Sequence, residues 1–208
     1  MYKRQPYDAK GLMTAALRGS DPVVCFESQR IYGMTEIFHK EGVPREPYEI
    51  PIGLPEVKRP GKDITILTFG PALYTAVKAA DILQEKFGLT AEIIDGRSLV
   101  PFDYGPVLDS IKKTNRIVVV SEACERGGFI NTVAANISQL GFNYLDGPVA
   151  VVGSRNWITP PAELEQAFFP QPSWILDAIH NYILPLEGYV PQTDRSPEGL
   201  LRDSRQGV

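Results

Sequence analysis

The sequence predicts an α/β fold, a doubly wound and mostly parallel sheet, on three observations. Strand-like and helix-like segments alternate four times between residues 63 and 185. The strand-like segments DITILTFG, TAEIIDGRSL, RIVVVSE and GPVAVVGS are continuous apolar runs, the pattern of strands covered on both faces. The helix-like segments between them carry one apolar stripe each, and right-handed crossovers then wind the chain around the sheet.

Along the chain, Asp8 is positioned to cap a helix over residues 8–17, with Leu12, Ala15 and Ala16 on one face. PVVCF, residues 22–26, reads as a short strand. One helix and one strand cannot bury themselves alone, so residues 1–28 read as the remnant of a preceding domain, or else as an arm packed on the main domain. Residues 29–62 are dense in Pro and Gly and read as an ordered connector with little helix. Within it YEIPIGLPEV predicts an edge strand, where proline is tolerated.

In the main domain, residues 63–185, ALYTAVKAADILQEKFG places Leu73, Val77, Ala80, Leu83 and Phe87 on one stripe that Gly88 stops. DYGPVLDSIKKT is the second helix, with Lys112 and Lys113 at its negative end. GGFINTVAANISQLG is the third. PAELEQAF and SWILDAIHNYIL, opened by Pro161 and Ser173, are two more. Residues 186–208 are polar and rich in Pro, Gly and Arg, and predict an extended tail.

Composition removes several functions. A net charge of −4 argues against a nucleic-acid binder, which needs a basic excess. No apolar run nears the roughly 20 residues that span a bilayer, and no signal-peptide core opens the chain. The two cysteines, Cys25 and Cys124, form no CxxC pair, so neither a disulfide framework nor a zinc site is expected, and the cytoplasm is the expected compartment.

Ligands in such sheets gather at the carboxyl ends of strands. At the second strand end, Asp95 and Arg97 of DGRS could hold a carboxylate or form a salt bridge fixing the loop or a subunit contact. At the third, Gly127 and Gly128 could bind an anion at a helix start, or simply turn the chain; neither GxGxxG nor GxxxxGK[ST] is present. Cys124 could be a nucleophile there, but His39 and His180, the only histidines, are tied to it by no known spacing. Arg155 and Trp157 of SRNWITPP are interface-type anchors. No paired-carboxylate signature, metal-ligand spacing or triad emerges.

The ordered motifs DAKGLMTAALRGSDPVVCFE, EPYEIPIGLPEVKRPGKDITILTFG, AEIIDGRSLVPFD, KKTNRIVVVSEACERGGF and LDGPVAVVGSRNWITPP resemble the C-terminal part of the β subunit of thiamine-diphosphate-dependent 2-oxoacid dehydrogenases, closest to the branched-chain type. The resemblance implies a transketolase-type C-terminal domain preceded by the end of a pyrimidine-binding domain. It implies oxidative decarboxylation on thiamine diphosphate with magnesium in the full enzyme, and none of that cofactor on this chain alone. It implies an α subunit or fused α region, a second β subunit and a lipoyl acyltransferase core as partners. Glu122, Arg126, Gly127 and Gly128 stand in the family's HEAxxxGGF pattern, whose histidine is Ser121 here. SRNWITP stands for the family's GxDxPxP loop, with Asn156 in place of an acidic docking residue. The expected role is assembly and docking of the acyltransferase core: Asp95, Arg97, Glu122, Arg126, Gly127, Gly128, Arg155, Asn156 and Trp157 are the interface or docking candidates. The alternatives are a free-standing, noncatalytic binding domain of the same fold, or the same domain of a transketolase or deoxyxylulose-phosphate synthase. The family's catalytic residues lie in a region that this resemblance places upstream of Asp8.

Overall fold

A computed structural model describes residues 2–3, 5–194 and 199. Four parallel strands form the sheet: β4 (Ile64–Phe69), β5 (Ala91–Asp95), β6 (Ile117–Cys124) and β7 (Ala150–Ser154), with β3 (Glu56–Arg59) added antiparallel on one edge. The order is β3-β5-β4-β6-β7. Every residue of β4 and β5 is buried, as continuous apolar runs require.

Helices cover both faces. α2 (Ala72–Phe87) and α6 (Pro172–Ala178) lie on one core, built from Ile64, Ile66, Leu73, Leu83, Ile93 and Ile175. α3 (Gly105–Thr114) and α4 (Phe129–Gly141) cover the other, with Leu67, Phe69, Ile111, Val119 and Ile137. Gly88 ends α2 at φ 65°, its N–H bonded to the carbonyls of Leu83 and Gln84, the left-handed cap that glycine adopts without Cβ strain.

Several local expectations are corrected. The first helix, α1, runs Pro6–Arg18, and Asp8 lies inside its first turn without capping it. Residues 22–26 are not a strand; only Phe26–Glu27 (β2) pairs, parallel to Tyr2–Lys3 (β1). The edge strand begins at Glu56, past the last proline of YEIPIGLPEV, because proline removes the N–H that the ladder needs. PAELEQAF splits into a 3-10 turn (Ala162–Leu164) and the four-residue α5 (Glu165–Phe168). α6 opens at Pro172, not Ser173, and continues as a π turn, Ile179–Ile183. The stretch after residue 185 does not extend from the domain at once: Leu186 is buried, and the Asp177 carboxylate accepts bonds from Tyr189 Oη, Gln192 N and Thr193 N at 2.7, 3.0 and 2.8 Å. Of the expected tail, residues 195–198 and 200–208 lie outside the described residues.

α1 is seated on the connector. A Cβ on Gly11 would come within 2.6 Å of Ile50, so only glycine lets the two segments approach. Lys10 Nζ donates to the carbonyls of Pro44, Arg45 and Glu46 at 2.5, 2.9 and 3.0 Å. Glu36 accepts the Tyr7 N–H at 3.1 Å, taking one of the unpaired donors of the helix start.

Candidate functional site

Two clusters form at the carboxyl ends of the strands, with an aromatic group between them. The first gathers DAKG, LPEVK and DGRS, motifs up to 89 residues apart. Arg97 sits at φ 57°, uncommon for a residue with a Cβ, and the buried Asp95 steadies it by accepting its N–H at 3.0 Å. The Arg97 guanidinium reaches Asp8 Oδ1 at 2.6 Å and also Glu56. Lys58 Nζ meets Asp8 Oδ2 at 2.8 Å and also Glu56. Two carboxylates thus face two cations, and the side chains of Asp8 and Lys58 are each 1% exposed. Tyr7 stacks on His39 with centroids 3.7 Å apart, and His39 Nε2 lies 3.5 Å from Lys58 Nζ. Burial, then Tyr7, Asp8 and Glu36, push the nearby Tyr48 phenol up to about 12.

The second cluster closes β6 and β7. Their register breaks between Val120 and Cys124, and this bulge turns SEAC into strand rather than turn. Gly153 is required there, since a Cβ would come within 2.5 Å of the Ala123 carbonyl. Gly127 has φ 67°, and Gly128 becomes the N-cap of α4. Glu122 accepts from Arg30 at 2.7 Å, and Arg30 lies over the Phe169 ring. Arg155 stacks on Trp174 at 4.1 Å. The Cys124 thiol donates to Asn156 Oδ1 at 3.3 Å, so Asn156 faces inward and the thiol is engaged. Trp157 and Ile158 are large apolar side chains that this loop exposes, at 47% and 94%. Arg126, just past the end of β6, is exposed as well.

Between the clusters, the crevice where the winding reverses at β4 and β6 is filled. Phe69 packs edge-on to Phe129 at 5.4 Å and against Phe102 at 5.6 Å. Gly96 lets this ring lie flat on the backbone, since a Cβ would be 2.2 Å from it. This is where such sheets otherwise bind ligands.

The structure therefore separates the nine sequence candidates. Asp95 and Arg97 are buried in the first cluster; Glu122, Arg126, Gly127, Gly128, Arg155, Asn156 and Trp157 share the second. Sequence reasoning missed Asp8, Glu56, Lys58 and His39 as one group. Their signal was the presence of charged residues within otherwise well-patterned motifs, but the contacts join segments far apart in the chain.

A further surface is an apolar groove of about 570 Å³ between the end of α1, the segment after it and the β5 end. Val23, Val24, Phe26, Ile52, Leu99 and Val100 are among the residues lining it. Val24 is 68% exposed and Val100 84%.

Comparison with known proteins places these features in a family. The model of the transketolase C-terminal domain matches residues 53–175. The chain is 38% identical over 178 residues to the pyruvate dehydrogenase E1 component subunit beta of Bacillus subtilis, covering 86% of this chain and 53% of that protein. It is 38% identical over 172 residues to the acetoin:2,6-dichlorophenolindophenol oxidoreductase subunit beta of the same organism, covering 82% and 48%. A chloroplastic pyruvate dehydrogenase E1 subunit beta-4 of Oryza sativa is 40% identical over 177 residues, covering 85% and 43%. The chain thus spans about half the length of these curated relatives. Among solved structures, a split-gene transketolase in an inactive β4 tetramer superposes with a TM-score of 0.56 at 26% identity, over 70% of this chain and 47% of that one. With its parallel sheet, antiparallel edge strand and matched segment, this chain belongs to the transketolase C-terminal domain family.

Proposed function

We propose that the chain is the C-terminal part of the β subunit of a 2-oxoacid dehydrogenase and works in the cytoplasm as its assembly portion. The observation that carries this is the 178-residue alignment to a pyruvate dehydrogenase β subunit, which is longer than the matched domain itself. The groove lined by Val24, Phe26 and Val100 supports it, because exposed apolar side chains gathered in one groove offer a place for another protein layer to pack. In this reading the remainder of the β region packs on the groove, and an α subunit and a second β subunit complete the enzyme. The surface carrying Arg126, Trp157 and Ile158 docks the lipoyl acyltransferase core. With Asn156 turned inward, docking there relies on apolar contact and Arg126 rather than on an acidic side chain.

The described residues do not fit thiamine diphosphate. The crevice at the strand ends is occupied by Phe69, Phe102 and Phe129, and the carboxylates of the first cluster are engaged by Arg97 and Lys58. Cofactor, magnesium and decarboxylation are accordingly assigned to the rest of the enzyme.

Co-expression with a family α subunit and the missing β region tests this. A complex that decarboxylates 2-oxoacids, with this chain stoichiometrically present, is the expected outcome. No association and no activity would refute it and favour a free-standing binding domain. The complex's preference among 2-oxoacids is read as kcat/KM for pyruvate against branched 2-oxoacids. Calorimetric titration of the isolated chain with thiamine diphosphate and magnesium is expected to show no binding.

A further inference from the structure

We infer that Lys58 is the tethered resident cation of a three-ligand site whose chemistry otherwise suits a divalent metal such as Zn²⁺. The carboxylates of Asp8 and Glu56 and a ring nitrogen of His39 converge, with their ligand atoms all within 4.8 Å of one another. They come from three segments: Asp8 from α1, His39 from the connector and Glu56 from β3. Carboxylate oxygens and imidazole nitrogens are both zinc ligands, with bonds of about 2.0–2.2 Å.

The Lys58 ammonium occupies the centre of this set. It lies 2.8 Å from Asp8 Oδ2 and 3.5 Å from His39 Nε2, and it contacts Glu56 Oε2. The same His39 Nε2 lies 3.8 Å from Glu56 Oε1, so this ring nitrogen faces both the ammonium and a carboxylate oxygen of the set. Arg97 holds the opposite oxygen of Asp8 at 2.6 Å and keeps that carboxylate oriented.

Burial gives the site an inside and an opening. The Asp8 and Lys58 side chains are 1% exposed, whereas those of His39 and Glu56 are 25% and 28%. A metal would enter past His39 and Glu56, and the charge that bars it is Lys58. With methionine in place of Lys58, two carboxylates face Arg97 alone, and one negative charge is left uncompensated. Drawing the three ligand atoms in from 4.8 Å to the spacing of a zinc polyhedron then needs side-chain adjustment of about an ångström. This inference does not rest on the 2-oxoacid dehydrogenase assignment.

The test uses the full chain, as wild type, Lys58→Met and Lys58→Met/His39→Ala, titrated with Co²⁺ and Zn²⁺. Calorimetry gives affinity, and the visible bands of Co²⁺ report inner-sphere coordination. Lys58→Met is expected to take one equivalent at least tenfold more tightly than wild type, with the gain lost in the double variant. Equal affinity in wild type and Lys58→Met overturns the inference, as does a gain that survives removal of His39. A Lys58→Met chain unfolded without metal is titrated with Zn²⁺ during refolding. Recovery of native far-UV circular dichroism at one equivalent supports the site, and no recovery overturns it.

Discussion

The two strand-end clusters are built from similar residue types yet hold them in opposite ways. At the β5 end, Asp8, Glu56, Lys58 and Arg97 neutralise one another beneath the surface. At the β6–β7 end, Glu122 pairs with an Arg30 whose side chain is 49% exposed, and the loop presents Trp157 and Ile158 to solvent. The same chemistry fixes the fold in one place and leaves a contact surface in the other. What separates them is the layer above: α1 and the connector cover the first cluster, and among the described residues no comparable layer covers the second.

The sharpest way to break this contrast is to remove one charge from each side. Asp8→Ala leaves Arg97 and Lys58 with Glu56 as the remaining carboxylate, one buried cation in excess, and breaking a buried pair costs about 3–5 kcal/mol; chemical denaturation of the purified chain measures it. Glu122→Ala removes a partly exposed pair and is expected to cost about 0–1 kcal/mol in the same assay. Equal losses would erase the distinction between the clusters.

Next in size is Gly96→Ala. Its Cβ would lie 2.2 Å from the Phe69 ring, and overpacking of this kind costs about 1–3 kcal/mol. A melting temperature unchanged from wild type would show that the aromatic plug is loosely seated. Trp157→Ala is expected to leave stability within about 0.5 kcal/mol while weakening acyltransferase docking at least tenfold, about 1.4 kcal/mol, in a binding titration of the reconstituted complex.

The smallest expected effect is a pH dependence. Partial burial works against the Asp63 charge, but hydrogen bonds from Thr90 N and Oγ1, both 2.7 Å, with Lys62 and Arg116 nearby, hold its carboxyl below the usual carboxylate range. A folded value below the unfolded one gives stability that is complete above the unfolded value and is lost as pH falls through the folded one. Asp63→Asn is therefore expected to be less stable than wild type at neutral pH, with the gap narrowing under acid in parallel melts.

Layering and winding were legible in the sequence because continuous apolar strands and striped helices are local patterns. The Gly88 stop was legible for the same reason. Residues 22–26 misled: their apolar character promised a strand, yet Val23 and Val24 are exposed and line the groove. An apolar run does not reveal whether its cover lies in the same described structure. Arg97 was seen beside Asp95, its neighbour in sequence, whereas its guanidinium reaches Asp8, a partner 89 positions away. Asn156 was noted as a missing charge, but its bond to Cys124 depends on the β6–β7 register, which no local pattern encodes.

The close seating of α1 has one more implication. Advancing the helix by one residue would turn it about 100° and slide it about 1.5 Å, bringing a side chain to the place where Gly11 meets Ile50 and pulling Lys10 off its three carbonyls. The helix is keyed to its bed like a notched shaft, so sliding it along the connector would break this fit at several points at once.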